Sequence, residues 1–310
     1  MTDSLPMPIT APLTKAQRTQ LLNLVRRAAK AEIMPRFRQL GAHQINQKTG
    51  PQDLVTDADK AAEAMITRGI LGMFPHALVV GEEHASDNPD IIDKIADAEL
   101  CFTIDPVDGT WNYANGLTCF GVYVAILRFG HPVFGLMYDP VMNDVIIADE
   151  ESPAMLIQPR GVKRKLKTSS GGPVDTLDGY IPLSLIAKDK QAQMAATFPK
   201  FQRINSLRCA LHEFRMLTQG NVDFILSGKL TPWDQPAGVV AARRAGAHVA
   251  MLDGSEYRGD TRDGYLLSAC NAETWNRVRD VFDFLIDTPQ DDTQDQTDAT
   301  QEPATESEDA

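Results

Sequence analysis

The sequence predicts a layered α+β fold that is divided into two lobes. Helical and strand-like segments alternate towards both ends of the chain, and a run of consecutive strands lies between them. That run, residues 119–148, has turn signals at Gly130 and around Asp139-Pro140, as an antiparallel meander requires. Alternating elements around a meander are typical of layered α and β packing. We therefore expect an N-terminal lobe over residues 14–155 and a C-terminal lobe over residues 156–286.

Apolar spacing and turn signals define the elements of the N-terminal half. Thr14 and Gln17 have the form of a capping box, and the apolar residues that follow recur with helical spacing. Gly50-Pro51 lies in a polar stretch, which we interpret as a turn or loop over residues 41–53. Helices are expected at about 15–40 and 58–73, and strands at 78–80, 101–104, 119–128, 132–138 and 144–148.

Predicted helices and strands alternate in the C-terminal half of the chain. A basic segment, residues 160–170, is interpreted as a loop followed by a short strand, and Pro236 suits the first turn of a helix. Strands are expected at 180–185, 222–226, 247–252 and 265–270, and helices at about 189–196, 206–219, 235–245 and 272–285.

The acidity of the chain is concentrated at its C-terminus. The net charge is −12, but residues 287–310 hold nine acidic residues and no Lys or Arg, which leaves −3 for residues 1–286. Such a segment buries too little apolar surface to fold, so we expect a disordered, solubilising tail, with an interaction arm as the alternative. Residues 1–13 are expected to be flexible. No basic stripe is present that could neutralise phosphates, so nucleic acid is not an expected partner.

The cysteines and the hydropathy pattern indicate a reduced protein of the cytoplasm. No Cys-x-x-Cys pair occurs, and we interpret the four cysteines as small buried residues rather than as disulfides or zinc ligands. They are Cys101, Cys119, Cys209 and Cys270. Neither a secretory signal nor an apolar run of about 18 residues is visible. We therefore expect no membrane partner and a cytoplasmic location.

The strongest chemical signal is the segment Asp105-Pro106-Val107-Asp108-Gly109-Thr110. Its two carboxylates, three residues apart at the end of a predicted strand, can point into one cavity. Pro106 stiffens the turn, and Gly109 permits a close approach of the backbone to a ligand. A helix that begins near Gly109 would offer free N–H groups to a phosphate. Taken alone, such a sequence is often only a surface turn.

Three further acidic signals lie where strands end or helices begin. They are Gly81-Glu82-Glu83, Asp53-Leu54-Val55-Thr56-Asp57-Ala58-Asp59 and Trp233-Asp234. Structural alternatives exist, because Asp57 and Asp59 suit the first turn of a helix and Asp234 suits an N-cap. Carboxylates gathered in one place repel one another unless cations lie between them. Oxygen ligands without a His/Cys cluster favour Mg²⁺ or Mn²⁺ over zinc.

Together these motifs resemble those of the inositol monophosphatase family, one of the lithium-sensitive, Mg²⁺-dependent phosphatases. The resemblance spans roughly residues 15–285. It rests on Asp-Leu-Val-Thr-x-x-Asp, Gly-Glu-Glu, Asp-Pro-Val-Asp-Gly-Thr-x-Asn-Tyr and Trp-Asp-x-x-Ala-Gly, in that order. It implies a layered αβαβα sandwich of the sugar-phosphatase type, a homodimer, and two or three Mg²⁺ ions that Mn²⁺ can replace.

The resemblance also implies a role for each matched residue. The implied metal ligands are Glu82, Asp105 and the Val107 carbonyl for one ion, Asp105, Asp108 and Asp234 for a second, and Asp59 near a third. Glu82 and Thr110 match the pair that orients the attacking water, and with Asp105 they are the implied catalytic residues. The backbone of Gly109 and Thr110 matches the phosphate-binding segment, and Lys48 aligns with a loop lysine near the site.

The implied reaction is hydrolysis of a small phosphomonoester, such as an inositol, sugar, histidinol or nucleotide phosphate. A metal-activated water attacks phosphorus in line, without a phosphoenzyme. A catalytically inactive regulatory or binding protein on the same fold is the alternative. A haloacid-dehalogenase-type phosphatase is excluded, because alignment on Asp108-Gly109-Thr110 places Pro106 where that class needs its nucleophilic aspartate.

The substrate side departs from the inositol-specific members. Ser227 stands where those carry a glutamate that contacts the sugar, and Arg208 follows Ser206 where those carry a glycine. Arg208 adds a fork of donors suited to a carboxylate or phosphate, unless it turns to solvent. His212 and Glu213 lie on the same predicted helix and are interpreted as surface or core polar residues. The expected substrate contacts are Asp108, Ser206, Arg208, Ser227 and Lys48, and inositol 1-phosphate is disfavoured as the substrate.

Overall fold

The structure, a computed structural model, describes residues 13–41, 44–50 and 53–286. The predicted tail and all of the predicted N-terminal segment except Leu13 lie outside these residues. The side chains of Thr49 and Asp53 are likewise outside the description. The described chain contains a two-stranded hairpin, a seven-stranded sheet and a five-stranded sheet.

The first helix, α1 (Lys15–Ala28), begins at the predicted capping box of Thr14 and Gln17. It is shorter than predicted, because a π-helical turn follows over Ala29–Ile33 and Arg38 then adopts a positive φ of 59°. The loop prediction for residues 41–53 is wrong, since β1 (Ile45–Gly50) and β2 (Asp53–Thr56) form an antiparallel hairpin. An exposed two-stranded ribbon needs few apolar residues, which is why its sequence looks like a loop.

The seven-stranded sheet contains the predicted meander. Its strands follow the chain order β3 to β9, and only β3 and β4 are parallel. The meander was predicted, and β9 lies within the basic segment 160–170 for which a short strand was predicted, whereas α3 and β8 were not predicted. The elements of this half are α2 (Asp57–Met73), β3 (Leu78–Gly81), α3 (Glu82–Asp87), β4 (Cys101–Asp108), α4 (Thr110–Ala114), β5 (Gly121–Arg128), β6 (His131–Asp139), β7 (Asp144–Asp149), β8 (Ser152–Ile157) and β9 (Lys163–Lys165).

The five-stranded sheet has the order β11-β10-β12-β14-β13. Its elements are β10 (Asp178–Tyr180), α5 (Gln191–Thr197), β11 (Arg203–Asn205), α6 (Ala210–Thr218), β12 (Phe224–Ser227), α7 (Pro236–Ala245), β13 (His248–Met251), β14 (Leu266–Ala269) and α8 (Ala272–Val281). The predicted strand 180–185 is wrong, because Pro182 has no N–H for a ladder and residues 183–185 form a 3₁₀ turn. The short strand β11 was not predicted.

The elements stack in five layers, which confirms the predicted αβαβα sandwich. On β5, Val122 and Val124 pack in the hydrophobic cluster that contains α1 and α2, whereas Tyr123 and Ala125 pack in the cluster that contains α6 and α7. This strand is apolar on both faces because both faces are covered. A third cluster joins the five-stranded sheet to α5 and α8. No helix among the described residues is long and apolar enough to cross a membrane.

Candidate active site

A bulge in β4 brings two aspartates to the same side of the strand. Asp105 pairs with Tyr123 and Asp108 pairs with Gly121, and the register shifts between these pairs. Residues three apart in a regular strand point to opposite faces, whereas one extra residue in the bulge reverses the second side chain. The strand predicted to end at Ile104 therefore continues to Asp108.

Asp234 completes a group of three carboxylates. Oxygen atoms of Asp105, Asp108 and Asp234 all lie within 4.8 Å of one another. Helix α7 begins at Pro236 with Gln235 as its N-cap, so the N-cap alternative for Asp234 is wrong. Burial, reinforced by the neighbouring carboxylates, raises the pKa of Asp105 and of Asp108 well above the usual range. Burial likewise raises the pKa of Asp234 to about 6.

Glu82 follows β3 and forms an ion pair with Lys48 of the hairpin. Lys48 Nζ lies 2.8 Å from Glu82 Oε1 and 2.7 Å from Glu83 Oε1. Burial opposes the charge on Lys48, but the two carboxylates outweigh it and raise the pKa of the lysine. Burial also raises the pKa of Glu83 to about 7. The structure thus places Lys48 beside Glu82, where the hairpin closes over the end of β3.

Glu63 of α2 holds this strand end in place and was missed by the sequence analysis. Its carboxylate accepts hydrogen bonds from Glu83 N at 2.8 Å and His84 N at 2.9 Å. A Cβ on Gly81 would lie only 2.2–2.5 Å from the same carboxylate, so this position requires glycine. The one signal in the sequence is that Glu63 falls on the helical face of Ile66 and Ile70, both of which are buried.

Asp59 serves both the start of α2 and the site. Its Oδ2 accepts a hydrogen bond from Thr56 N at 2.9 Å, which forms a capping box. Its Oδ1 lies 3.1 Å from the Thr110 hydroxyl, which also lies 2.9 Å from the Val107 carbonyl. Burial raises the pKa of Asp59 to about 7. Asp57 is exposed and does not share this role.

Gly109 allows the backbone to turn from β4 into the short helix α4. Its φ is +87°, and a Cβ there would lie 2.7 Å from Cys119 O. Both the left-handed backbone and the close approach exclude other residues. Helix α4 begins at Thr110, as expected, but contains only five residues.

The segment that carries Ser206 and Arg208 is fixed by two buried polar side chains. Asn112 Nδ2 donates to Leu207 O at 2.8 Å and lies 2.9 Å from Cys119 O. Glu213 Oε1 accepts hydrogen bonds from Leu207 N at 2.8 Å and from the Ser206 hydroxyl at 3.2 Å. Of the two alternatives for Glu213, the core one is correct, since the side chain is buried and anchors this segment, and burial raises its pKa to about 7.

Arg208 was expected either to contact the substrate or to turn to solvent, and the structure shows features of both. Its backbone is left-handed, with a φ of 55°, and its side chain stays largely exposed. The guanidinium nevertheless lies over the indole of Trp111, 3.9 Å from the ring centroid. This stacking turns the planar group into part of the cavity wall.

Two cysteines and a histidine lie beside Asp108. Ligand atoms of Cys119, Cys209 and His212 all lie within 4.8 Å of one another, so the absence of a His/Cys cluster, inferred from the sequence, is wrong. Their distance along the chain concealed the group. Cys209 Sγ lies 3.3 Å from Asp108 Oδ2, and all four cysteines of the chain are free. Cys119 is half-buried, whereas the other three are buried as predicted.

A cavity of about 890 Å³ unites these elements. Most of the predicted site residues line it, including the distant Ser227 at the end of β12. The predicted residues that line it are Glu82, Asp105, Asp108, Gly109, Thr110, Ser206, Arg208, Ser227 and Asp234. The other three predicted residues touch this lining, Lys48 through Glu82 and both Asp59 and Val107 through Thr110.

The five-layered sandwich, with a carboxylate-lined cavity at its strand ends, defines a protein with the inositol monophosphatase type of fold. The inositol monophosphatase family model matches residues 15–280 of this chain. The chain therefore belongs to the inositol monophosphatase family, as the motifs predicted.

The relatives that this chain resembles differ in their names. The chain is 27% identical over 212 residues to a fructose-1,6-bisphosphatase/inositol-1-monophosphatase of Thermotoga maritima, covering 68% of this chain and 77% of the relative. It is 30% identical over 251 residues to the Nus factor SuhB of Vibrio cholerae, covering 76% and 87%. A solved inositol monophosphatase of Thermotoga maritima superposes with a TM-score of 0.70 at 22% identity, covering 87% of this chain and 99% of that one.

Proposed function

We propose that this protein is a Mg²⁺-dependent phosphomonoesterase that hydrolyses a small phosphorylated metabolite. The observation that carries this proposal is the group formed by Asp105, Asp108 and Asp234, whose oxygens lie within 4.8 Å of one another. Burial raises the pKa of each of these three carboxyl groups, and neighbouring carboxylates add to the effect. Hard oxygen donors that repel one another fit a hard divalent cation. Family membership supports a phosphatase.

The proposed ligands come from four separate parts of the chain, which are α2, α3, β4 and the segment before α7. Glu82, Asp105 and the Val107 carbonyl would hold one ion, and Asp105, Asp108 and Asp234 a second, with Asp59 near a third. Mn²⁺ is the expected substitute, because it accepts the same oxygen ligands. When bound, Mg²⁺ would neutralise phosphoryl oxygens and lower the pKa of a water molecule.

The chain itself would position the reactants. Glu82 and the Thr110 hydroxyl would orient the water for in-line attack on phosphorus. The backbone N–H groups of Gly109 and Thr110 would hold the phosphoryl group where the left-handed turn presents them. No side-chain nucleophile is required, since water forms the new bond and the ester oxygen leaves with a proton.

Phosphate release from a panel of phosphomonoesters tests the proposal. The panel contains inositol 1-phosphate, fructose 1,6-bisphosphate, histidinol phosphate, 3′-phosphoadenosine 5′-phosphate and glycerol 2-phosphate, each with Mg²⁺, with EDTA, and with Mg²⁺ plus lithium. We expect release that needs Mg²⁺, that lithium inhibits, and that Glu82→Gln abolishes. Asp57→Asn, a change at an exposed acid of the same region, serves as the control and should retain activity. Full activity of Glu82→Gln would disprove the assignment.

A catalytically inactive regulatory protein on this fold is the second candidate. The observation in its favour is the 30% identity to a relative named Nus factor SuhB. A protein that binds no Mg²⁺ at millimolar concentration and releases no phosphate would support this candidate. We further propose that the protein is a homodimer and that it is located in the cytoplasm. Light scattering in solution tests the homodimer.

A further inference from the structure

The cavity that holds the carboxylates also has an apolar wall. This wall belongs to the C-terminal half of the chain. Its residues lie in the segment that follows β10, in the turn that precedes β11, and in β11 itself. Its members are Ile181, Pro182, Leu183, Leu185, Phe198 and Ile204. None of these residues belongs to the motifs that carry the family resemblance. A wall of this kind is independent of the metal chemistry and bears on the part of the substrate that leaves.

The wall packs against the hydrophobic core on one side and is partly exposed on the other. Leu183, Phe198 and Ile204 are only partly buried, and they pack against the hydrophobic cluster of the five-stranded sheet. Leu185 retains 47% of its surface exposed. Removing apolar surface from water is favourable, so a ligand that covers these side chains gains affinity. The cavity therefore favours an apolar group next to these side chains.

Two polar side chains of the cavity lining, Glu213 and Gln235, already have hydrogen-bond partners within the protein, whereas Ser184, Asn205 and Ser227 also line the cavity. The Glu213 carboxylate accepts hydrogen bonds from Leu207 N and the Ser206 hydroxyl. The Gln235 amide accepts from Thr231 N at 2.9 Å and donates to Lys229 O at 3.2 Å. Hydroxyls buried without partners are unfavourable. A polyol would therefore have to share Glu213 and Gln235 with their present partners.

Arg208 gives the cavity a flat surface. Its guanidinium lies 3.9 Å from the centroid of the Trp111 ring, and its backbone is held by the Asn112 side chain, which also lies 3.3 Å from Arg208 O. Arg208 and Trp111 both line the cavity, so this stacked pair forms part of its wall. Such a wall suits a planar ring better than a puckered polyol.

We propose that the substrate is a phosphomonoester whose leaving group is a flat, largely apolar ring. The phosphoryl group lies at the carboxylates, and the ring lies against Arg208 and the wall of Leu183, Phe198 and Ile204. A cavity of about 890 Å³ is large enough for both parts. This inference rests on the proposed phosphatase function. In the reaction the water oxygen bonds to phosphorus, the ester O–P bond breaks, and the leaving oxygen takes up a proton.

The test compares two esters of alkyl alcohols with similar intrinsic reactivity. Benzyl phosphate carries a ring, and glycerol 2-phosphate carries hydroxyls. We expect kcat/KM for benzyl phosphate to exceed that for glycerol 2-phosphate at least about tenfold, as burial of an apolar group against a matching wall predicts. Phe198→Ser should lower this ratio about tenfold, mainly through KM for benzyl phosphate. Val162→Ser, at a residue that is 58% exposed and outside the cavity lining, should leave the ratio unchanged.

A second variant keeps the test decisive if Phe198→Ser does not fold. Arg208→Gly suits the left-handed backbone and removes the flat surface, so it should fold and should also lower the ratio. Folding of each variant is checked by its melting temperature. Preference for glycerol 2-phosphate, or a ratio that neither variant changes, would overturn the inference while leaving the phosphatase function intact. Absence of Mg²⁺-dependent release from every ester would instead overturn the proposed function itself, and the inference with it.

Discussion

Lys48 Nζ lies 2.8 Å from Oε1 of Glu82, a proposed metal ligand. A lysine and a divalent cation therefore compete for the negative charge of one carboxylate. The hairpin that carries Lys48 comes from a different part of the chain from β3 and α3. Its ammonium group stabilises the acidic site when no metal is bound, and this gives the first prediction.

Lys48→Met should separate metal affinity from the stability of the metal-free protein. Loss of the lysine leaves a largely buried carboxylate unpaired, so metal-free stability should fall by about 2 kcal/mol. Mg²⁺ should bind about tenfold more tightly, because no ammonium group competes for Glu82. Calorimetric titration and melting with and without Mg²⁺ measure both effects, with Lys60→Met on the exposed side of α2 as the control. Weaker Mg²⁺ binding by Lys48→Met would contradict this account.

Asp105→Asn should stabilise the metal-free protein while removing its response to Mg²⁺. Asp105 is only 3% exposed and lies among carboxylates that repel it. Replacing this charge with an amide should raise metal-free stability by about 1 kcal/mol, or roughly 2–4 °C. Melting curves in EDTA and in Mg²⁺ test this, and Asp57→Asn should behave like the unchanged protein. A destabilised Asp105→Asn that still gains stability from Mg²⁺ would show that the aspartate is not a ligand.

Gly109→Ala and Gly161→Ala should separate backbone strain from steric clash. Both glycines have a positive φ, +87° for Gly109 and +78° for Gly161. A Cβ at Gly109 would have a close neighbour, whereas no atom in the described part of the chain lies within 4 Å of a Cβ at Gly161. Gly161→Ala should cost about 1–2 kcal/mol of stability through strain alone. Gly109→Ala should cost at least about 3 kcal/mol and abolish phosphate release, because Cys119 O must move. Equal losses of stability in the two variants, measured by urea denaturation, would argue against the clash.

Glu213 should make the stability of the metal-free protein depend on pH. Burial raises its pKa from 4.5 to about 7 in the folded state. A raised folded-state pKa means that its contribution is fully present below pH 4.5 and is lost as pH rises towards 7. The upper limit of this loss is on the order of 3 kcal/mol. Glu213→Gln removes the titration, so its stability should fall less between pH 4.5 and pH 7 in denaturant titrations. Identical pH profiles for the two proteins would contradict the assignment.

The sequence predicted helices and strands correctly where apolar residues recur with a regular period. The meander and the apolar helices follow from periodicity, since one or both of their faces are covered by other layers. The hairpin of β1 and β2 was missed because its strands are mostly polar. Strand 180–185 was mispredicted because its apolar residues line a cavity instead of joining a ladder, and Pro182 ends the pairing.

Within the site, the sequence by itself determined which carboxylates are candidate metal ligands. The segment Asp105-Pro106-Val107-Asp108-Gly109-Thr110 and the three other acidic motifs contain them. Only the tertiary structure decided how these residues meet. The bulge in β4, the support of β3 by Glu63 and the anchoring of Ser206 and Leu207 by Glu213 depend on contacts between distant segments. Such contacts leave no periodic trace, since hydrogen bonding between remote residues imposes no spacing along the chain. The apolar wall could not be predicted from the sequence for the same reason. Its residues are of types that usually form the core, and only the fold shows that one side of them faces a cavity.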